Sequence, residues 1–93
     1  MCTVFAESEV ISLRAQGVAK EDIAAGLVGG IARRIAAMAR PMGLKGHVAL
    51  VGGVAKNEAM RAALERELGA GLFVPPEPRI TGALGAALIA AEL

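Results

Sequence analysis

Ninety-three residues make one small domain or a portion of a larger one. A formal net charge of +1 excludes the electrostatic footprint of a nucleic-acid binder, and a single cysteine excludes an internal disulfide. Hydrophobic residues reach 55%, yet only two are aromatic, so alanine and glycine carry much of the apolar content and the core they can build is thin.

The longest uncharged runs, Ile23–Ala32 and Ile80–Ala91, fall short of the roughly 20 apolar residues of a membrane span. Glu7 and Glu9 interrupt the early apolar stretch, so no signal peptide is expected and the protein reads as cytoplasmic. So short and apolar a chain is expected to leave apolar faces that need a partner.

In chain order, Val4–Gln16 predict a helix with Val10 and Leu13 on one face and Gly17 placed to end it. Cys2 and Thr3 stand at its start, where the helix dipole favours a thiolate. Cys2 is either an ordinary thiol or one ligand of a site completed by other chains. Lys20–Ala39 predict a second helix, with Glu21 and Asp22 suited to its first turn. Ile23, Leu27, Ile31, Ile35 and Met38 form one apolar stripe along it, and Pro41 prevents its continuation. Gly29 and Gly30 each cost roughly 1 kcal/mol against alanine inside a helix. They predict either a close backbone neighbour or a weakened helix. Arg33, Arg34 and Arg40 read as a solvated face.

Val48–Val51 is an uninterrupted apolar run, the pattern of a strand buried on both faces. Gly52 and Gly53 follow, then a helix from about Asn57 to Leu68 with Met60, Leu64 and Leu68 inward. Glu58, Arg61, Glu65 and Arg66 are expected outward, with Glu58–Arg61 and Arg61–Glu65 spaced to pair. A strand, a glycine turn and a helix make a ligand-binding corner, because glycine lets a ligand approach the main chain and helix N–H groups face it. The plain alternative is a tight connection. The spacing matches neither a Walker loop nor a dinucleotide fingerprint.

Gly69 ends the third helix, Leu72–Val74 predict a second strand, and Pro75–Pro78 form a rigid connection. Thr81 is expected to cap a last helix, Gly82–Glu92, in which Gly82, Gly85 and Ala86 give a smooth face. The order α-α-β-α-β-α, with a crossover helix between the strands, predicts an α/β fold with a parallel pair.

Self-contained catalytic chemistry is not in evidence. His47, the only histidine, lies at the strand entrance as a surface residue, and Glu7 and Glu9 point to different sides of a helix. One reading left by the residues is a non-catalytic α/β interaction module that dimerises through its apolar helices.

Four segments together carry a resemblance. Cys2–Leu13, opening Cys-Thr-Val-Phe-Ala-Glu-Ser-Glu, resembles the segment after the second cluster cysteine in the ATP-dependent activators of 2-hydroxyacyl-CoA dehydratases and benzoyl-CoA reductases. Gly17–Leu27, with Ile31–Arg34, looks like that family's next helix. Val51–Asn57 and Thr81–Ala87 resemble its adenosine-binding turn and closing helix. The resemblance covers nearly all 93 residues.

It implies the C-terminal part of an actin/hexokinase-like (ribonuclease H-like) ATPase domain across residues 1–93. It also implies a homodimer holding one four-iron four-sulfur cluster. ATP hydrolysis with magnesium would drive an electron to a dehydratase or reductase partner. Cys2 would be one cluster ligand; Gly52, Gly53, Lys56 and Asn57 would match the adenosine-binding turn. The family's phosphate loops, its acidic residues near magnesium and its other cysteine would precede these residues. The 93 residues alone are therefore expected to be inactive, with weak nucleotide affinity at best and no stable cluster. Ala19 stands where a capping Ser is expected, and Gly29-Gly30 where bulkier polar residues are usual.

Overall fold

The computed structural model describes residues 3–93, with side-chain environments from residue 6 onward; Cys2 lies outside the described residues. Four α-helices alternate with two short strands: α1 (Thr3–Ala15), α2 (Lys20–Ala39), β1 (Val48–Ala49), α3 (Glu58–Leu68), β2 (Leu72–Phe73) and α4 (Thr81–Glu92). The strands pair in parallel, Val48 opposite Leu72 and Ala49 opposite Phe73. The predicted order and the parallel pairing both appear.

Turn chemistry closes the helices as the glycines predict. At the end of α1, Gly17 lies at φ 87°; its N–H donates to the Arg14 carbonyl at 3.0 Å and that of Val18 to the Leu13 carbonyl at 3.1 Å. These are the two bonds of a Schellman motif. Gly69 ends α3 at φ 67°, its N–H donating to the Glu65 carbonyl. Ala19 offers no side-chain cap to α2, yet its carbonyl accepts from both Asp22 and Ile23 N–H at 3.1 Å. The helix starts without the missing serine.

The core lies between α2 and α3. Ala32, Met60, Ala63 and Leu64 are its buried residues, with Val28, Leu50 and Leu72 packed against them. The face of α2 that builds it is therefore Val28, Ala32 and Ala36, not the predicted stripe. Ile23 is buried, but Leu27, Ile31, Ile35 and Met38 are exposed. Alanines win this face because their small side chains let helices approach closely, and close approach raises the density of contacts. Ile23, Leu27 and Ile31 instead line a groove of about 730 Å³ against Val10 and Leu13 of α1.

Gly29 and Gly30 meet no foreign backbone. The nearest group to a Cβ added at either is the Arg33 guanidinium, at 3.3 and 3.8 Å. The helix continues through them unbroken.

Three local expectations are corrected. The first strand is two residues long with Val48 only half-buried and Ala49 exposed, because no layer covers its second face. Glu65 is not simply outward: its Oε2 accepts the Leu72 N–H at 2.9 Å, fixing the start of β2, while Oε1 pairs with Arg61 at 3.9 Å. Arg40 does more than close α2: its guanidinium donates to the Glu67 carbonyl at 2.6 Å and so satisfies an orphan acceptor in the last turn of α3.

The molecule is open for its mass. Its extents are 56 × 26 × 23 Å and its radius of gyration is 16.5 Å, where a compact chain of this length gives about 12 Å. Its accessible surface is 6937 Å², against about 5,000 Å² for a folded monomer of equal mass. No helix among the described residues is long and apolar enough to cross a membrane.

Candidate functional site

The predicted corner forms at the end of β1. Leu50 extends the ladder, its N–H donating to the Phe73 carbonyl at 2.8 Å. The chain then passes through Gly52 at φ 95° and ψ 175°, backbone angles that only glycine adopts without strain. A 3₁₀ turn follows over Gly53–Lys56, closed by Ala55 N–H to the Gly52 carbonyl at 3.1 Å and Asn57 N–H to the Val54 carbonyl at 2.9 Å. Asn57 is the N-cap of α3, its Oδ1 accepting the Met60 N–H at 3.1 Å. Its own carbonyl accepts the Arg61 N–H at 3.1 Å. Two N–H groups of the first turn of α3, those of Met60 and Arg61, are thus satisfied by Asn57, and the open face of the glycine turn lies beside them.

Gly52, Gly53, Lys56 and Asn57 are therefore brought together in one turn. Gly52 is half-buried and the other three are exposed. A Cβ added at Gly53 would meet nothing within 4 Å, so a flat group has free access to the backbone there.

A second turn joins this one. The Gly52 N–H donates to the Pro78 carbonyl at 2.8 Å, and the Thr81 hydroxyl donates to the same carbonyl at 3.3 Å. Thr81 is the first residue of α4 and turns its hydroxyl back to Pro78, so it does not cap the helix as expected. The turns after β1 and after β2 meet outside the carboxyl ends of both parallel strands. Ligands of open α/β sheets bind in that position. Exposed Val54 and Ile80 give this corner an apolar surface.

The Pro78 carbonyl and Ile80 escape a reading of residues alone. The signal was available: the turn after a second parallel strand must lie beside the turn after the first. His47 is exposed at the opposite, amino end of β1. Among the described residues, no group of three or more His, Cys, Asp or Glu could hold a metal ion. The proposed cluster ligand, Cys2, lies outside them.

Residues 1–90 match the BadF/BadG/BcrA/BcrD ATPase family. The 2-hydroxyisocaproyl-CoA dehydratase activator of Clostridioides difficile is 46% identical over 89 residues, covering 96% of this chain and 34% of the relative. The (R)-2-hydroxyglutaryl-CoA dehydratase activating ATPase of Acidaminococcus fermentans is 47% identical over 89 residues, with the same coverage. The solved activator of the 2-hydroxyisocaproyl-CoA dehydratase from Clostridium difficile with bound ADPNP superimposes with a TM-score of 0.87 at 45% identity, covering 98% of this chain and 34% of that one. The crystal structure of the Acidaminococcus fermentans (R)-2-hydroxyglutaryl-CoA dehydratase component A gives 0.85 at 46% identity, with 95% and 34% covered. The chain spans about a third of the length of these relatives.

Proposed function

The chain belongs to the BadF/BadG/BcrA/BcrD ATPase family, and we propose that its residues supply the adenosine-binding turn of an ATP-hydrolysing activator of a 2-hydroxyacyl-CoA dehydratase. The observation that carries this is the pair of hydrogen-bonded turns outside the carboxyl ends of the two parallel strands. Gly52 sets the backbone angle, Gly53 keeps the face open, and Val54 and Ile80 offer apolar surface to a purine ring. Lys56 and Asn57 supply polar contacts; with the Asn57 oxygen engaged, its amide nitrogen is the group left to donate.

Phosphoryl transfer also needs groups that cradle the outer phosphates and hold magnesium. By the resemblance, those groups would precede these residues. We therefore assign no hydrolytic step to these 93 residues, and the chain by itself is expected to show no ATP turnover.

The same reading makes Cys2 one thiolate ligand of a four-iron four-sulfur cluster shared by two copies. Such a cluster takes four thiolates, whereas each copy of these residues carries one cysteine. Two copies do not complete the set. The proposed partners are a second activator copy and a dehydratase, or a benzoyl-CoA reductase in the wider family.

Isothermal calorimetry with ADP tests the nucleotide assignment. Weak binding is expected, and it should vanish in Gly53→Trp, whose side chain would occupy the open face. Absence of ADP binding, or binding indifferent to Gly53→Trp, would overturn it. The rival module, favoured by the bare apolar faces, predicts no ADP heat but a mass that grows with concentration.

A further inference from the structure

The two turns of the candidate site touch, yet their side chains do little to hold them at a fixed spacing. The first, Gly53–Lys56, buries only Ala55, and the second, Pro78–Ile80, buries only Pro78. Val54 and Ile80, which give the site its apolar surface, are both more than half exposed. What joins the turns is one acceptor. The Pro78 carbonyl receives the Gly52 N–H at 2.8 Å from one side and the Thr81 hydroxyl at 3.3 Å from the other. Both donor residues are half-buried, where water competes less for a hydrogen bond than at an open surface.

Thr81 serves the turn in place of the helix it begins. A threonine at a helix start ordinarily offers its oxygen to the N–H groups of the first turn. Here Ile80 occupies the cap position without a side-chain bond, and the Thr81 hydroxyl reaches back three residues to Pro78. The loop closed in this way contains Arg79 and Ile80. Ile80 lies within it at φ −105° and ψ 3°, the corner conformation of a tight turn. Its own N–H donates to the Glu77 carbonyl at 3.3 Å. Two bonds therefore bracket Ile80, one on its own amide and one from the residue after it. Both are long, so each holds modestly and neither is redundant.

We propose that Thr81 is a positioning residue of the nucleotide site: through the Pro78 carbonyl it fixes Ile80 as an apolar wall and ties that wall to the glycine turn at Gly52. The inference rests on the nucleotide reading proposed above. A purine ring lying on the open face at Gly53 then meets Ile80 already in place, and binding carries no cost of ordering it. The β-branch of Thr81 stiffens its χ1 and keeps the hydroxyl aimed at Pro78. Serine would supply the same bond with a looser side chain, and valine the same shape without the bond.

The test is an NMR titration of the isotope-labelled 93-residue chain with ADP, beside chemical denaturation of each variant. In the unsubstituted chain, ADP is expected to shift the Gly53 amide and the Ile80 methyl signals together. Thr81→Val should lower ADP affinity about two- to fivefold, the lower range of what one hydrogen bond carries. In it the Ile80 methyls should no longer follow Gly53, and without ADP the Gly52 amide should exchange faster. Thr81→Ser should restore all three. A merely structural role would lower affinity only in step with the folded fraction, and Ile80 would still follow Gly53. That outcome, or Thr81→Ser behaving as Thr81→Val does, would overturn the inference and leave the nucleotide assignment standing. Absence of any ADP response in the unsubstituted chain, or a response indifferent to Gly53→Trp, would overturn the nucleotide assignment and this inference with it.

Discussion

The seam between α2 and α3 and the whole of α4 are both apolar and rich in alanine, and they end in opposite conditions. Between α2 and α3, Ala32, Ala36, Ala63 and Leu64 are at most 2% exposed, whereas α4, rich in alanine and leucine, buries nothing. Alanine and leucine content alone therefore does not decide where a helix of this chain sits. What separates the two is the availability of a matching face within these residues. α3 has a charged side and an apolar side, so it needs one neighbour and finds it in α2. α4 has no polar side and buries none of its residues against the other described elements.

Truncation in each helix would expose that contrast most sharply. Leu64→Ala is expected to cost about 3 kcal/mol in chemical denaturation, because the surrounding seam cannot collapse into the space. Leu88→Ala, at a position 60% exposed, should stay within about 0.5 kcal/mol in the free chain. Equal losses at the two positions would mean that α4 is packed in solution.

A smaller effect separates the capped helix from the uncapped one. Asn57→Ala removes the bond to Met60 N–H and should cost about 1 kcal/mol, with Asn57→Asp retaining most of it. Thr81→Ala is expected to cost less, as its hydroxyl serves Pro78 and caps nothing. Hydrogen exchange in the first turns of α3 and α4 reads both.

Gly30→Ala should move stability the other way, raising it by roughly 0.5–1 kcal/mol through lower unfolded-state entropy. The new methyl meets only the Arg33 guanidinium, at an ordinary 3.8 Å. A loss of stability there would reveal a close neighbour not seen in the isolated chain. The smallest change is expected for Arg40→Ala, about 0.5 kcal/mol, given the exposure of the guanidinium. Faster exchange confined to the last turn of α3 is its signature.

Legibility in the sequence follows the same division. The bounds of α2, the αL glycines at Gly17 and Gly69 and the parallel pairing all rest on local chemistry or on the handedness of a crossover, and they were readable. The core face of α2 was not. Ile23, Leu27, Ile31, Ile35 and Met38 dominate any hydrophobic count, but the seam with α3 uses Val28, Ala32 and Ala36. Alanine carries little weight in a periodicity while allowing the closest approach. The corner at Gly52–Asn57 was legible as a turn, and its link to Pro78 was not, because that link depends on where a second strand ends. The charged side of α3 was read correctly for the Arg61–Glu65 pair, but the expected Glu58–Arg61 pair does not form, and Glu65 was read incompletely, since its carboxylate serves a backbone N–H seven residues away.

The alanine seam also bears on how this chain can drift by mutation. Ala32 and Ala36 are fully covered, and Ala63 is 1% exposed, so each position admits a methyl group and little else. A single base change in an alanine codon yields valine, threonine, serine, proline, glycine, aspartate or glutamate. Valine and threonine are too wide for the seam, aspartate and glutamate bring a charge into it, and proline breaks the helix. Serine and glycine alone fit its volume, and each weakens a helix interior. Three of the plainest residues in the sequence thus have almost no neutral neighbours one step away.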